Sequence, residues 1–180
     1  MNFEAIEFPE GQGNLGGLRP VGYYGFISEA TTIPEVPAAP ATLEEVSVIT
    51  SNIVMDAGKY MHPMYGTLEA TNLKGEQQGE RDGRSAKIAL TWFIPGHHKE
   101  NLGAARYFPK RRMFFIVRDH EGRYRLVGST HFPAEVAATD DTGTAVADRK
   151  GVTYEISTYS DGPAPIYEGE IPATEGSAAV

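Results

Sequence analysis

The chain has 180 residues, with 24 Asp and Glu against 16 Lys and Arg. The resulting net charge of −8 excludes a general nucleic-acid binder, which needs surplus cations to neutralise phosphates. There is no cysteine, so disulfides, thiolate metal sites and cysteine nucleophiles are excluded. The 20 Gly and 12 Pro punctuate the chain too often for a helical bundle and favour β structure with many turns.

The length suits one domain with a substantial core, assigned to residues 1–172, with an N-terminal arm over 1–45 and a frayed tail over 173–180. The acidic start MNFEAIEFPE does not read as a signal peptide, and no apolar run reaches membrane-spanning length. A soluble intracellular product is the expectation. After the glycine-rich stretch PEGQGNLGGLRP, Val21 to Ile27 reads as an aromatic strand despite its two glycines. Thr32 to Thr42 carries Pro34, Pro37 and Pro40, which forbid helix and predict an extended linker or an arm crossing a surface.

Further strands are predicted at Val46–Thr50, Gly66–Leu73 and Ala86–Ile94, then at Arg112–Asp119 and Arg123–Ser129 around the turn His120-Glu121-Gly122. The last are Ala134–Ala138, Val152–Tyr159 and Ile166–Ile171. One helix is predicted over His98–Tyr107, ending before Pro109. This pattern implies a mainly β fold, a sandwich or barrel with one short flanking helix.

The region from Gly66 to Gly96 stands out. Its second half alternates, with Ile88, Leu90, Trp92 and Ile94 on one face and Lys87, Ala89, Thr91 and Phe93 on the other. The segment Lys74 to Ser85 carries Lys74, Glu76, Gln77, Gln78, Glu80, Arg81, Asp82 and Arg84 around three glycines and cannot bury a core of its own. It reads as a long mobile hairpin arm whose eight polar residues are candidates for contact with another subunit, with Trp92 anchoring its base.

Catalytic and cofactor signals are weak. Gly11, Gly13 and Gly16 match G-x-G-x-x-G, but Gly17, Arg19 and Pro20 follow where a dinucleotide site needs a helix. His97 and His98 are adjacent and, with His62, His120 and His131, lack zinc-ligand spacing. Asp140, Asp141 and Asp148 lack the ligand alternation of a calcium loop. Lys110-Arg111-Arg112 reads as the solvated start of a strand, with a phosphate contact as the alternative. No nucleophile elbow, zincin helix or phosphate-binding loop is present, so no enzyme activity, metal or cofactor is assigned.

Several segments taken in series carry a resemblance: GGLRPVGYYGFISEATTIPEVP, GTLEATNLKGEQQGERDGRS, ALTWFIPGHHKENLGAARYF and the half that begins FFIVRDHEGRYRLVG and runs through DDTG, DRKG and PAPIY. Together they resemble the major tail (tail tube) proteins of tailed bacteriophages, especially those of phages and prophages of Bacteroidetes-type hosts. The resemblance implies a β-sandwich with a flanking helix and a hairpin arm. It also implies self-association into hexameric rings that stack as a tube in the virion, alongside other tail proteins, with DNA passing through without tight binding. An alternative from the residues alone is a capsid-decorating or carbohydrate-binding β-sandwich using Tyr23, Tyr24, Tyr159 and Tyr167.

Overall fold

The computed structural model describes Ile6, Glu10, Gly11 and residues 13–173. Five strands come first: β1 (Leu18–Phe26), β2 (Ala30–Thr32), β3 (Val48–Ile49), β4 (Val54–Met55) and β5 (His62–Tyr65). The hairpin β6 (Asn72–Gln78) and β7 (Ser85–Pro95) leads into the helix α1 (Lys99–Tyr107). The chain then forms β8 (Met113–Asp119), β9 (Tyr124–Val127), β10 (Glu135–Asp141), β11 (Gly151–Ser160) and β12 (Ile166–Tyr167).

The strands form a six-stranded sheet in the order β3-β12-β9-β8-β1-β5, a four-stranded sheet β10-β11-β7-β6 and a small pair β2-β4. The mainly β class with one helix is as the sequence predicts, whereas none of these sheets closes into a barrel. Between the two large sheets lies a core of Ile88, Leu90 and Trp92 from β7, Tyr154 and Ile156 from β11, and Met113, Phe115 and Val117 from β8. Alternation along β7 and β11 supplies this face because successive strand residues point to opposite sides.

β8 is different. Its run Met113–Val117 is buried throughout, because its other face, with Phe114 and Ile116, packs into a second core with Ile33, Ile49, Ile53, Met61, Leu126 and Tyr167. A strand covered on both faces reads as a continuous apolar run. The cover comes partly from the proline-rich segment, where Ile33 and Pro34 are buried while residues 35–39 stay exposed, so the predicted surface-crossing arm closes the second core.

The two glycines of β1 have a packing reason. A Cβ at Gly22 would sit 3.0 Å from the Trp92 ring, and one at Gly25 would sit 2.5 Å from the Phe114 ring. Each aromatic ring lies directly on backbone. β1 thereby takes an interior place between β8 and β5, which corrects the assignment of all of 1–45 to an arm.

The helix docks through one polar residue. Asn101 is buried; its Nδ2 donates to the carbonyl of Gly96 (2.8 Å), and its Oδ1 accepts from the Tyr154 hydroxyl (2.7 Å). Every polar atom buried there must find a partner, and this triad satisfies the turn, the helix and β11 together. At the far end Ala173 bridges Met61, so backbone pairing reaches the first residue of the assigned tail. The rest of that tail, 174–180, and most of the acidic start lie outside the described residues.

Candidate assembly interface

The polar segment predicted as a mobile arm is largely a paired strand. β6 pairs with β7 over seven rungs, from Asn72 opposite Thr91 to Gln78 opposite Ser85, leaving Gly79–Arg84 as the connecting loop. Residues 66–71, predicted as a strand, instead make a turn in which the Ala70 amide donates to the Thr67 carbonyl (3.1 Å). The physical reason is that an edge strand needs only a backbone ladder on one side. Side chains exposed on both faces leave it no hydrophobic signature.

The hairpin also protrudes little. β11 flanks β7 as far as Ala86, opposite Ser160, so only the Gln78–Ser85 rung and the loop extend past the sheet. In the loop the Gly83 amide donates to the Glu80 carbonyl (3.1 Å), and Asp82 has a φ of 68°, a turn position that Asp tolerates better than most side chains.

Of the eight candidate residues, Lys74, Glu76, Gln77 and Gln78 lie on β6, while Glu80, Arg81, Asp82 and Arg84 lie in the loop, and all are exposed. The register sorts the strand residues. Lys74 and Glu76 stand beside Ala89 and Lys87 on the outer face, whereas Gln77 shares the side of buried Ala86. Lys74 and Glu76 form an ion pair. The Glu76 carboxyl is held below its ordinary range by the hydrogen bond from Lys74, then by the Lys74 charge, with a further contribution from Lys87. The pair is fully open to water, and exposed pairs of this kind contribute little to stability.

Two features of the four-stranded sheet were not visible as such in the sequence. Its edges, β6 and β10, are each seven residues long, and among the described residues neither makes a backbone hydrogen bond on its outer side. Its outer face is an open trough of about 330 Å³ over small residues such as Ala89, Ala137 and Ser157. Glu76, Glu135, Asp141 and Glu155 face outward there with Lys74 and Lys87, and Arg149 covers Phe93 at one end (4.6 Å), leaving a small acidic excess.

The remaining candidates are accounted for locally. Gly13 and Gly16 are exposed, and β1 rather than a helix follows them. Asp141 accepts the Gly143 amide (2.9 Å), and Asp148 accepts those of Thr144 (2.9 Å) and Ala145 (2.7 Å), so both carboxylates serve a turn. His97 lies 3.3 Å from the Gly151 carbonyl. Arg111 stacks on Tyr107 (4.6 Å), and the basic run 110–112 precedes β8 in a 3₁₀ turn and the stretch after it. Among the described residues no three His, Asp or Glu side chains gather as a metal site requires, and no helix is long and apolar enough to cross a membrane.

The expectation that Tyr23, Tyr24, Tyr159 and Tyr167 serve together as binding residues is corrected. Tyr167 is buried, accepting the Ile53 amide (2.9 Å) and donating to the Glu170 carbonyl (2.7 Å), while Tyr24 packs against Phe108. Burial pushes both phenols up. Of the four tyrosines only Tyr159 is exposed, with Tyr23 and Tyr24 half-buried, so they form no common exposed surface. No protein-family model matches the chain, and neither a curated protein nor a solved structure matches it.

Proposed function

We propose that this chain is a non-enzymatic structural protein that joins its own copies into closed rings. The rings stack as the tail tube of a phage virion, a conduit for DNA made from subunits synthesised in the host cytoplasm. The observation that carries the reading is that β6 and β10, the two edges of one sheet, lack a backbone ladder on the outer side among the described residues, with α1 and the 3₁₀ turn 108–110 packed beside β10. An open edge invites pairing, and folds that stay monomeric cover it, charge it, shorten it or twist it away. β6 of one copy and β10 of the next are different surfaces, so their pairing is heterologous and closes into a ring when the rotation permits.

In such a ring the four-stranded sheets join edge to edge, and their polar outer faces can line a passage. Small side chains and a slight acidic excess keep that lining from gripping phosphates. Other tail proteins then meet the ends of the tube. The loop Gly79–Arg84 stands at the margin of the sheet, and in this reading it is the part that meets a neighbouring ring.

The test is light scattering and electron microscopy on the purified protein over a rising concentration series. Rings or tubes are expected, and a monomer at the highest concentration with no particles contradicts the reading.

A further inference from the structure

The β8–β9 turn collects positive charge in a chain that is acidic overall. Arg19 comes from β1, Arg118 from β8, and Arg123 and Arg125 from the turn and β9. All four are held locally. Arg123 pairs with Glu121 (3.3 Å), and Arg125 donates its Nε to the Ala164 carbonyl (2.8 Å). The nearby Asp119 carboxylate accepts the Arg123 backbone amide (2.8 Å).

Arg19 and Arg118 have no carboxylate within ion-pair distance among the described residues. Both are instead fixed by the turn. Arg118 Nε donates to the Gly122 carbonyl (3.1 Å) with its guanidinium over the Tyr124 ring (5.0 Å), and Arg19 Nη2 donates to the His120 carbonyl (3.3 Å). A Cβ at Gly122 would lie 3.4 Å from Arg118 Nη2 and 3.9 Å from Arg19 Nη2, so both guanidiniums approach the same side of the turn at Gly122. Gly122 also takes a φ of 95°, which leaves that place free of a side chain.

Two half-buried guanidiniums with no carboxylate in ion-pair contact among the described residues, the Asp119 and Glu121 carboxylates of the turn being engaged by Arg123, repel each other, and the repulsion is relieved when an anion binds both. A guanidinium carries about five N–H donors. Each of these uses one on a carbonyl of the turn, which leaves the planar forks available for oxygen acceptors. We propose that this turn is a phosphate-binding site in which Arg19 and Arg118 clamp a dianionic phosphate from two sides. A tetrahedral dianion offers each fork its own oxygens and balances both charges, whereas one carboxylate offers two oxygens and one charge. A nucleic-acid backbone diester has a single charge per phosphate and meets the repulsion of the whole chain, so inorganic phosphate or a small monoester is the favoured source. The site is independent of whether copies assemble.

The test is a titration of the 15N-labelled full chain with inorganic phosphate, followed by amide shifts, with chloride, glutamate and a single-stranded oligonucleotide as parallel arms at constant ionic strength. Saturable shifts confined to Arg19 and residues 118–123 are expected, weakened at least about tenfold in both Arg118→Gln and Arg19→Gln and unchanged in Arg111→Gln. Arg118→Lys, which keeps the charge but loses the fork, should recover only part of the affinity. Non-saturating shifts, equal binding of chloride, or wild-type binding in both Gln variants overturns the site. Glutamate binding as tight as phosphate overturns the ligand class in favour of a carboxylate, and tighter binding of the oligonucleotide overturns the favoured source.

Discussion

Trp92 donates its indole N–H to the main-chain carbonyl of Tyr65 at 2.9 Å, which bonds the centre of β7 to the end of β5 and so joins the two large sheets. The fully buried ring lies against backbone on both sides of that bond, because Gly22 and Gly66 leave room for it.

Gly66→Ala should therefore be costly. Its Cβ would fall 2.6 Å from Trp92 Cε2 and 2.9 Å from Thr71 Cγ2, and overpacking of this kind destabilises by about 1–3 kcal/mol. Gly103→Ala in α1 meets nothing within 4 Å and should stabilise by roughly 0.5–1 kcal/mol through helix propensity alone. Chemical denaturation of both variants checks the opposite signs.

Stability should fall in alkali through Tyr154. Burial raises its phenol from 10.0 to about 12, with the Tyr24 phenol adding to the shift. A raised folded value favours the protonated native form, so the contribution is intact below pH 10 and is lost as pH climbs from 10 through about 12. Denaturation midpoints measured from pH 8 to 11.5 should show this decline, and Tyr154→Phe should make it shallower, leaving the share of the Tyr24 and Tyr167 phenols that burial also raises. At pH 8 that variant should be less stable by about 1–3 kcal/mol, because buried Asn101 loses its hydroxyl partner.

The loop Gly79–Arg84 can be removed without disturbing the ladder. Joining Gln78 to Ser85 through Asn-Gly keeps all seven rungs of β6 and supplies a two-residue hairpin turn. A wider deletion from Gly75 would strip the pairing opposite Ile88 and bare a new edge on β7. The short-loop variant should keep its stability to within about 1 kcal/mol. If the loop joins one ring to the next, electron microscopy should show rings without tubes.

Proline separates the inner from the outer side of β6. Successive amides of a strand point to opposite sides, so of Glu76 and Gln77 one donates toward β7 and the other faces outward. One of the variants Glu76→Pro and Gln77→Pro should lose about 1–3 kcal/mol of monomer stability. The other should retain stability yet fail to assemble in light scattering.

What could be read from the sequence follows from where side chains meet a core. β7 and β11 alternate because one face is buried, and β8 is continuously apolar because both are, so all three were legible with near-correct ends. β6 was not, since its residues beyond Leu73 are exposed on both faces and its register is imposed by the backbone of β7. The four-residue β5 includes Pro63, and β2 and β4 are shorter still, so local pattern had little to work with. The candidate polar residues were found by composition, but their sorting into strand and loop came only from the ladder. The place of β10 at a sheet edge and the approach of Arg19 and Arg118 to one turn depend on pairings between distant segments, which no local window contains.

Amide hydrogen exchange over Asn72–Gln78, in dilute monomer and in assembled particles, tests the edge-pairing claim most directly. Outward amides that lack a partner exchange quickly, and pairing with a second copy protects them. Alternate β6 amides should exchange at loop-like rates in the monomer and slow by about 100-fold or more in the particles. Particles whose outward β6 amides exchange as fast as in the monomer would contradict assembly through this edge.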